Sequence, residues 1–267
     1  MTLPFIKMHG LGNDFVVFDH TKNPHEITAE LAARLADRRF GVGCDQVIQL
    51  LAPTQNRAAV HAEMRIYNGD GSQAEMCGNA ARCVAKYLRQ TLNLPTETLT
   101  IQTLAGLIKI QPKGGGLEAV DMGKPIYGKA GEPIKTKTGT EYKFTQVSMG
   151  NPHCVIFLPT LDGFPLAQEG SLLESHKRFP HRTNVEFVQV IDPKKIHMRV
   201  WERGAGITLA CGTGACAAAV AAVLNGHTQR EVVVKLDGGD LDILWRSDDH
   251  VIMTGPATIS FHGEINF

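Results

Sequence analysis

Short apolar runs behind glycine turns recur along this chain in two similar series. Phe15-Val16-Val17-Phe18 follows the Gly12-Asn13 pair, and Cys154-Val155-Ile156-Phe157 follows Gly150-Asn151. Unbroken apolar runs behind a turn signal predict buried strands. From Ile27 to Leu35 the period changes: Leu31, Ala32 and Leu35 share one face of a helix, with Thr28 as its N-cap. Residues 64–67 and 197–201 predict strands that run into glycine-bearing loops, Gly69-Asp70-Gly71-Ser72 and Gly204-Ala205-Gly206. Cys77-Gly78-Asn79-Ala80-Ala81 then opens one helical run, and Cys211-Gly212-Thr213-Gly214-Ala215 opens another that stops at Asn225-Gly226. Residues 99–103 and 232–236 begin hairpins turning at Ala105-Gly106 and Gly238-Gly239, with further strands across the turns at 113–116 and 247–250.

The two series are a duplication. Laying Cys77 on Cys211 places Arg65-Ile66-Tyr67-Asn68 on Arg199-Val200-Trp201-Glu202 with no gap between. Thr103-Leu104-Ala105-Gly106 likewise matches Lys235-Leu236-Asp237-Gly238, and Met122-Gly123-Lys124-Pro125 matches Met253-Thr254-Gly255-Pro256. Matches in constant order mark an internal repeat. The expected organisation is two halves, residues 1–124 and 125–256, with the tail 257–267 (alternating Ile259, Phe261 and Ile265) returning as a strand to one of them. The expected fold class is α/β in the broad, α+β sense. Each half would be a β-barrel-like sheet wrapped around a central helix, kept thin in the second half by Ala217, Ala218, Ala219, Ala221 and Ala222. A pseudo-twofold arrangement would put the active site in the cleft between the halves.

Composition narrows the function classes. Lys+Arg and Asp+Glu both count 27, so the net charge is zero and no basic cluster suggests a nucleic-acid partner. The longest apolar run, from Cys216 to Leu224, falls short of the roughly 20 residues that span a bilayer, so no membrane partner is expected. Met1-Thr2-Leu3-Pro4-Phe5-Ile6-Lys7 lacks the features of a secretory leader, and a cytoplasmic protein is expected. Six cysteines in a chain of this length do not make a dense disulfide framework, and no Cys-x-x-Cys pair points to a metal.

Two of those cysteines stand apart. A thiol at a helix mouth lies near unpaired N–H groups and the positive end of the dipole, which favours thiolate. If Cys77 and Cys211 met across a cleft, the N–H groups around Gly78-Asn79 and Gly212-Thr213 would hold a carboxylate. One sulfur would then lie on each face of the adjacent carbon, one to take its proton and one to supply another, which inverts the centre. The same spacing also admits a Cys77–Cys211 disulfide or simple packing. A phosphate cradle lacks the Gly-Lys-Ser/Thr of a Walker loop, and a thiol protease needs a single Cys with a His partner.

The chain resembles the diaminopimelate epimerases. The resemblance rests on Lys7-Met8-His9-Gly10-Leu11-Gly12-Asn13-Asp14-Phe15, Gly41-Val42-Gly43-Cys44-Asp45-Gln46, Ala74-Glu75-Met76-Cys77-Gly78-Asn79, Gly150-Asn151-Pro152-His153, Trp201-Glu202-Arg203-Gly204 and Ala210-Cys211-Gly212-Thr213-Gly214-Ala215. It implies cofactor-independent interconversion of LL- and meso-diaminopimelate in lysine and peptidoglycan-precursor synthesis, by a homodimer. It implies Cys77 and Cys211 as the two bases, donor and acceptor respectively, with roles exchanged in the reverse reaction. Substrate contacts are implied for Asn13, Gln46, Asn68, Gly78, Asn79, Asn151, Asn184, Glu202, Arg203, Gly212 and Thr213, with His153 and Glu202 biasing the thiol pKa values. Two positions depart from the family pattern: Ala80-Ala81 stands where glycine is common, and Gln73 where an acidic residue is common.

Two other readings share these features. A cofactor-independent racemase for a substrate with one charged end, such as proline, would leave Glu202-Arg203 without a purpose. A non-catalytic metabolite-binding protein would bind the same ligand and exchange no proton.

Overall fold

The computed structural model describes residues 2–54, 59–94 and 96–266. Met1, where the leader reading begins, and Phe267, the end of the tail, lie outside the described residues. The chain divides into two compact units, one of residues 1–120 with 255–267 and one of residues 121–254.

The first unit begins with β1 (Thr2–Gly10) and β2 (Asn13–Asp19), an antiparallel pair. A crossover through α1 (Ala29–Ala36) brings β3 (Gln46–Leu51) parallel to β2. Thr28 caps α1 by accepting from the Leu31 N–H, and Ala32, Leu35 and Ala36 are its buried face. β4 (Ala62–Asn68) returns antiparallel to β3 and carries the two-residue β5 (Gln73–Ala74). The second crossover is α2 (Gly78–Leu92), after which β6 (Leu99–Thr103) pairs parallel to β4 and β7 (Gly106–Lys113) and β8 (Leu117–Asp121) complete a meander.

The second unit adds β9 (Ile126–Tyr127) and β10 (Glu132–Lys135) and then repeats the topology. The antiparallel pair is β11 (Glu141–Ser148) and β12 (Pro152–Phe157), and α3 (Leu166–Glu174) crosses to β13 (Asn184–Asp192), parallel to β12. β14 (Lys195–Glu202) with β15 (Gly206–Thr208) leads to α4 (Gly212–Leu224). β16 (Glu231–Leu236), β17 (Gly239–Trp245) and β18 (Val251–Pro256) follow, with β16 parallel to β14. The repeat extends to register: Ile66 pairs with Ala74 in the first unit as Val200 pairs with Thr208 in the second.

α4 packs against β11, β12, β13, β14, β16 and β17, and every residue from Gly214 to Ala222 is buried. Small side chains let a sheet close around a helix on all sides, and six alanines supply them. α2 solves the same problem with long side chains tied to backbone. The buried Arg82 donates from Nε to the Pro256 carbonyl at 3.1 Å, and Lys86 Nζ donates to Ala257 at 2.7 Å. Arg89 pairs with the buried Glu118 at 2.9 Å. The segment that receives Arg82 and Lys86 continues as β19 (Thr258–Asn266), antiparallel to β1 along the whole strand.

Candidate active site

Each unit carries one thiol at the mouth of its second crossover helix and a set of polar side chains in corresponding places. In the first, Cys77 is the extended residue from which α2 starts, and its carbonyl accepts from the Ala81 N–H at 2.9 Å. Its half-buried thiol lies 3.9 Å from Asn13 Oδ1, which also accepts from Asn79 Nδ2 at 3.1 Å. Asn13 is held from its other end by Asp45, whose Oδ2 accepts from Asn13 Nδ2 at 2.9 Å and from the Asp14 N–H at 3.0 Å. Arg38 bridges Asp45 and Asp14 at 2.7 Å each, and Lys7 reaches Asp14 at 2.6 Å. Burial works against ionisation of Asp14, yet the hydrogen bonds and charges of Arg38 and Lys7 hold its carboxyl well below the usual range. Gln46 Nε2 donates to Asn68 Oδ1 at 2.9 Å across the β3–β4 pair, and Asn68 donates to Ser72 Oγ at 3.0 Å. Gln46 Oε1 is buried with no hydrogen-bond partner among the described residues.

In the second unit Cys211 occupies the same position ahead of α4. Its sulfur accepts from the Gly214 N–H at 3.3 Å and lies 3.6 Å from Thr213 Oγ1. Asn151 donates from Nδ2 to Thr213 Oγ1 at 3.2 Å, and its Oδ1 meets His153 Nε2 at 2.9 Å. His153 and Glu186 are both fully buried and meet at 2.7 Å between Nδ1 and Oε1. Asn184 donates to the Pro152 carbonyl and accepts from the Arg203 N–H, each at 2.9 Å. Glu202 accepts from the Thr208 hydroxyl, and the exposed Arg203 side chain donates to the His181 carbonyl at 3.4 Å.

The helix-mouth argument predicts a thiolate, and at Cys211 other forces win. Burial, then the charges of Glu202 and Glu186, push the thiol well above its ordinary value, against smaller pulls from Thr213 and the Gly214 N–H. The dipole of a helix end is worth about 1 kcal/mol. Stripping water from a thiolate beside two carboxylates costs more. Cys211 is therefore a neutral thiol at neutral pH. Glu202 is itself raised by burial, opposed by hydrogen bonds from Thr208 and Cys211; the Glu186 charge raises it further and His153 lowers it.

The strand registers sharpen the correspondence between units. Phe15 pairs with Gln46 where His153 pairs with Asn184, and Val17 pairs with Ile48 where Val155 pairs with Glu186. Asn13 thus corresponds to Asn151, Gln46 to Asn184, Asn68 to Glu202 and Asn79 to Thr213. Phe15 corresponds to His153 and not to Cys154, one residue from the match that the apolar runs suggest. Glu186 and its partner role escape a reading of the sequence because Val185-Glu186-Phe187-Val188 looks like an ordinary buried strand. The available signal is a lone carboxylate inside that apolar run.

Solved structures share this architecture. A phenazine biosynthesis protein of the PhzF family from Bacillus anthracis superposes with a TM-score of 0.78 at 17% identity, covering 100% of both chains. A hydroxyproline epimerase from Agrobacterium vitis superposes with a TM-score of 0.75 at 16% identity, covering 99% of this chain and 92% of that one. At such identities the likeness is one of fold. Sequence relatives carry the class. Diaminopimelate epimerase of Magnetococcus marinus is 51% identical over 98% of this chain and 96% of its own length. That of Pelotomaculum thermopropionicum is 49% identical over 97% and 98%. This protein is an enzyme, an isomerase with the two-domain epimerase fold. The sequence model described as Diaminopimelate epimerase matches residues 5–128 and 145–260, and the chain belongs to that family.

Proposed function

We propose that this chain interconverts LL- and meso-diaminopimelate, without a cofactor, through Cys77 and Cys211 acting on opposite faces of one substrate carbon. The observation that carries the reading is the equivalence of the two thiols: each immediately precedes the second crossover helix of the same topology, with Asn13 beside Cys77 and its counterpart Asn151 bonded to Thr213, whose hydroxyl lies 3.6 Å from Cys211 Sγ. The first N–H groups of α2 and α4, at Gly78-Asn79 and Gly212-Thr213, have no acceptor within their helices and suit the carboxylate beside the reacting carbon. A thiolate on one face takes the α-proton, the electron pair it leaves delocalises onto that carboxylate, and the thiol on the other face returns a proton. The centre inverts, and thiol and thiolate have exchanged places.

Burial and the neighbouring carboxylates keep Cys211 a thiol, so it is ready to donate while Cys77 accepts. The assignment implied by the family resemblance is the same cycle run in the other direction. Asn13, Gln46, Asn68, Asn79, Asn151 and Asn184 offer amides to the ammonium and carboxylate groups of the substrate, and the buried Gln46 Oε1 is ready to accept from an ammonium. Glu202 and Arg203 supply the charges that a second amino-acid end requires. His153 acts through Glu202 and Asn151. On this reading the chain serves lysine and peptidoglycan-precursor synthesis as a cytoplasmic homodimer, and family membership is the support for those three statements.

The test is deuterium uptake at the α-carbon in D2O, with LL- and meso-diaminopimelate, for wild type, Cys77→Ala and Cys211→Ala. Loss of one acid–base group is expected to slow epimerisation by about 10²–10⁴. A single variant that still epimerises at the wild-type rate defeats the two-base reading, and activity on proline instead of diaminopimelate defeats the substrate.

A further inference from the structure

Beyond Gln46 against Asn184, Asn68 against Glu202 and Asn79 against Thr213, the two thiol environments differ at three further corresponding positions. Where the first unit has Phe15, Ile48 and Ala80, all fully buried, the second has His153, Glu186 and Gly214. The first set shows that this topology packs with ordinary apolar side chains, so the second set is not required by the fold. It is also expensive. Glu186 and His153 are fully buried, and Glu186 Oε2 has no hydrogen-bond partner among the described residues.

The three substitutions fit together physically. A Cβ at position 214 would stand 2.8 Å from Glu186 Oε1 and 3.1 Å from Cys211 Sγ. Glycine is thus what lets the carboxylate and the sulfur approach, to within about 6 Å of each other, a separation at which like charges in a buried site interact strongly. The ring of His153 is set by the same carboxylate. With Asn151 Nδ2 donating to Thr213, Asn151 Oδ1 turns to His153 Nε2, which must donate. His153 Nδ1 then faces Glu186 Oε1 at 2.7 Å. The groups that act on Cys211 are Glu186 of β13, Glu202 of β14 with Thr208 of β15 behind it, Thr213 and the Gly214 N–H of α4, and His153 of β12 through Glu202. Cys154, beside His153 in β12, also feels Glu186 and stays a thiol.

We propose that Glu186 is a positioning residue of the Cys211 half: it locks the His153 ring onto Asn151 and, through the space left by Gly214, sets its carboxylate against the Cys211 sulfur. This rests on Cys211 being one of the reacting thiols. Removing the carboxylate frees His153 to turn and lets Cys211 ionise earlier.

The test follows thiol protonation without turnover. Wild type, Glu186→Gln and the double variant His153→Phe/Glu186→Ile, which imports the pair found in the first unit, are labelled with methyl methanethiosulfonate across pH, and the Cys77 and Cys211 peptides are quantified separately. The expected result is a Cys211 midpoint lowered by about one pH unit in either variant, with the Cys77 midpoint unmoved. Thermal unfolding identifies which variant keeps the wild-type fold. An unmoved Cys211 midpoint in such a variant overturns the proposal. Loss of the fold in both variants also overturns it, since Glu186 is then a packing residue. Because labelling needs no substrate, a shifted midpoint in a protein with no epimerase activity would count against the function proposed above and not against this role.

Discussion

Asp14 helps to set the position of the Asn13 amide that lies beside Cys77. Lys7 and Arg38 hold Asp14, Arg38 and the Asp14 N–H hold Asp45, and Asp45 holds Asn13. A carboxyl depressed in the folded state adds stability that is present above its unfolded pKa of about 4 and lost as pH falls toward the folded value. Asp14→Asn should therefore cost about 2 kcal/mol at pH 7 in chemical denaturation, the exposed Arg38 screening part of the larger cost of breaking a buried pair. The difference from wild type should shrink below about pH 4. An equal cost at pH 3 and pH 7 would contradict the ion-pair account. At this scale the sequence shows which residues sit at the helix mouths, because Cys-Gly strings and Gly-Asn pairs are local signals. It does not show their charge state. Cys211 is governed by burial and by the charges of Glu202 and Glu186, the latter 25 positions earlier in the chain and brought close by strand pairing.

α4 was legible as an element because its small residues are consecutive, and a helix buried on every side needs no polar face. Leucine at position 218 has nowhere to go. Ala218→Leu should destabilise the second unit by about 1–3 kcal/mol in denaturant unfolding, while a leucine tolerated without cost would show that the sheet around α4 is loosely closed. α2 was legible only in outline. Arg82 and Arg89 look like solvated positions on a helix, and both are buried against acceptors supplied by distant strands. α3 gives no such notice. Its N-cap is Pro165, with no side-chain capping bond, where α1 has the Thr28 hydroxyl that marks its start. Its place is evident once it is seen as the counterpart of α1 in the repeated topology.

The duplication was readable at the scale of the molecule because strand, loop and helix mouth match without a gap from Arg65 to Gly78 and from Arg199 to Gly212. Registers were not readable, since apolar runs can slide by one residue without changing their character, and Phe15 belongs with His153 for that reason. β19 gives β1 its outer hydrogen-bond partner, and the segment before it receives Arg82 and Lys86. Removal of residues 258–267 should expose β1 amides to hydrogen exchange and leave the α4 amides protected. Equal loss across both units would mean that the tail supports the whole molecule and not one unit.

That returning strand also has a bearing on how the protein is made. The second unit is one uninterrupted stretch, whereas the first is split around it. On a ribosome the sheet of the first unit cannot be finished until the second has been synthesised in full. The half of the enzyme encoded first is thus the half completed last, and β1 must wait with an unpaired edge while its neighbour folds.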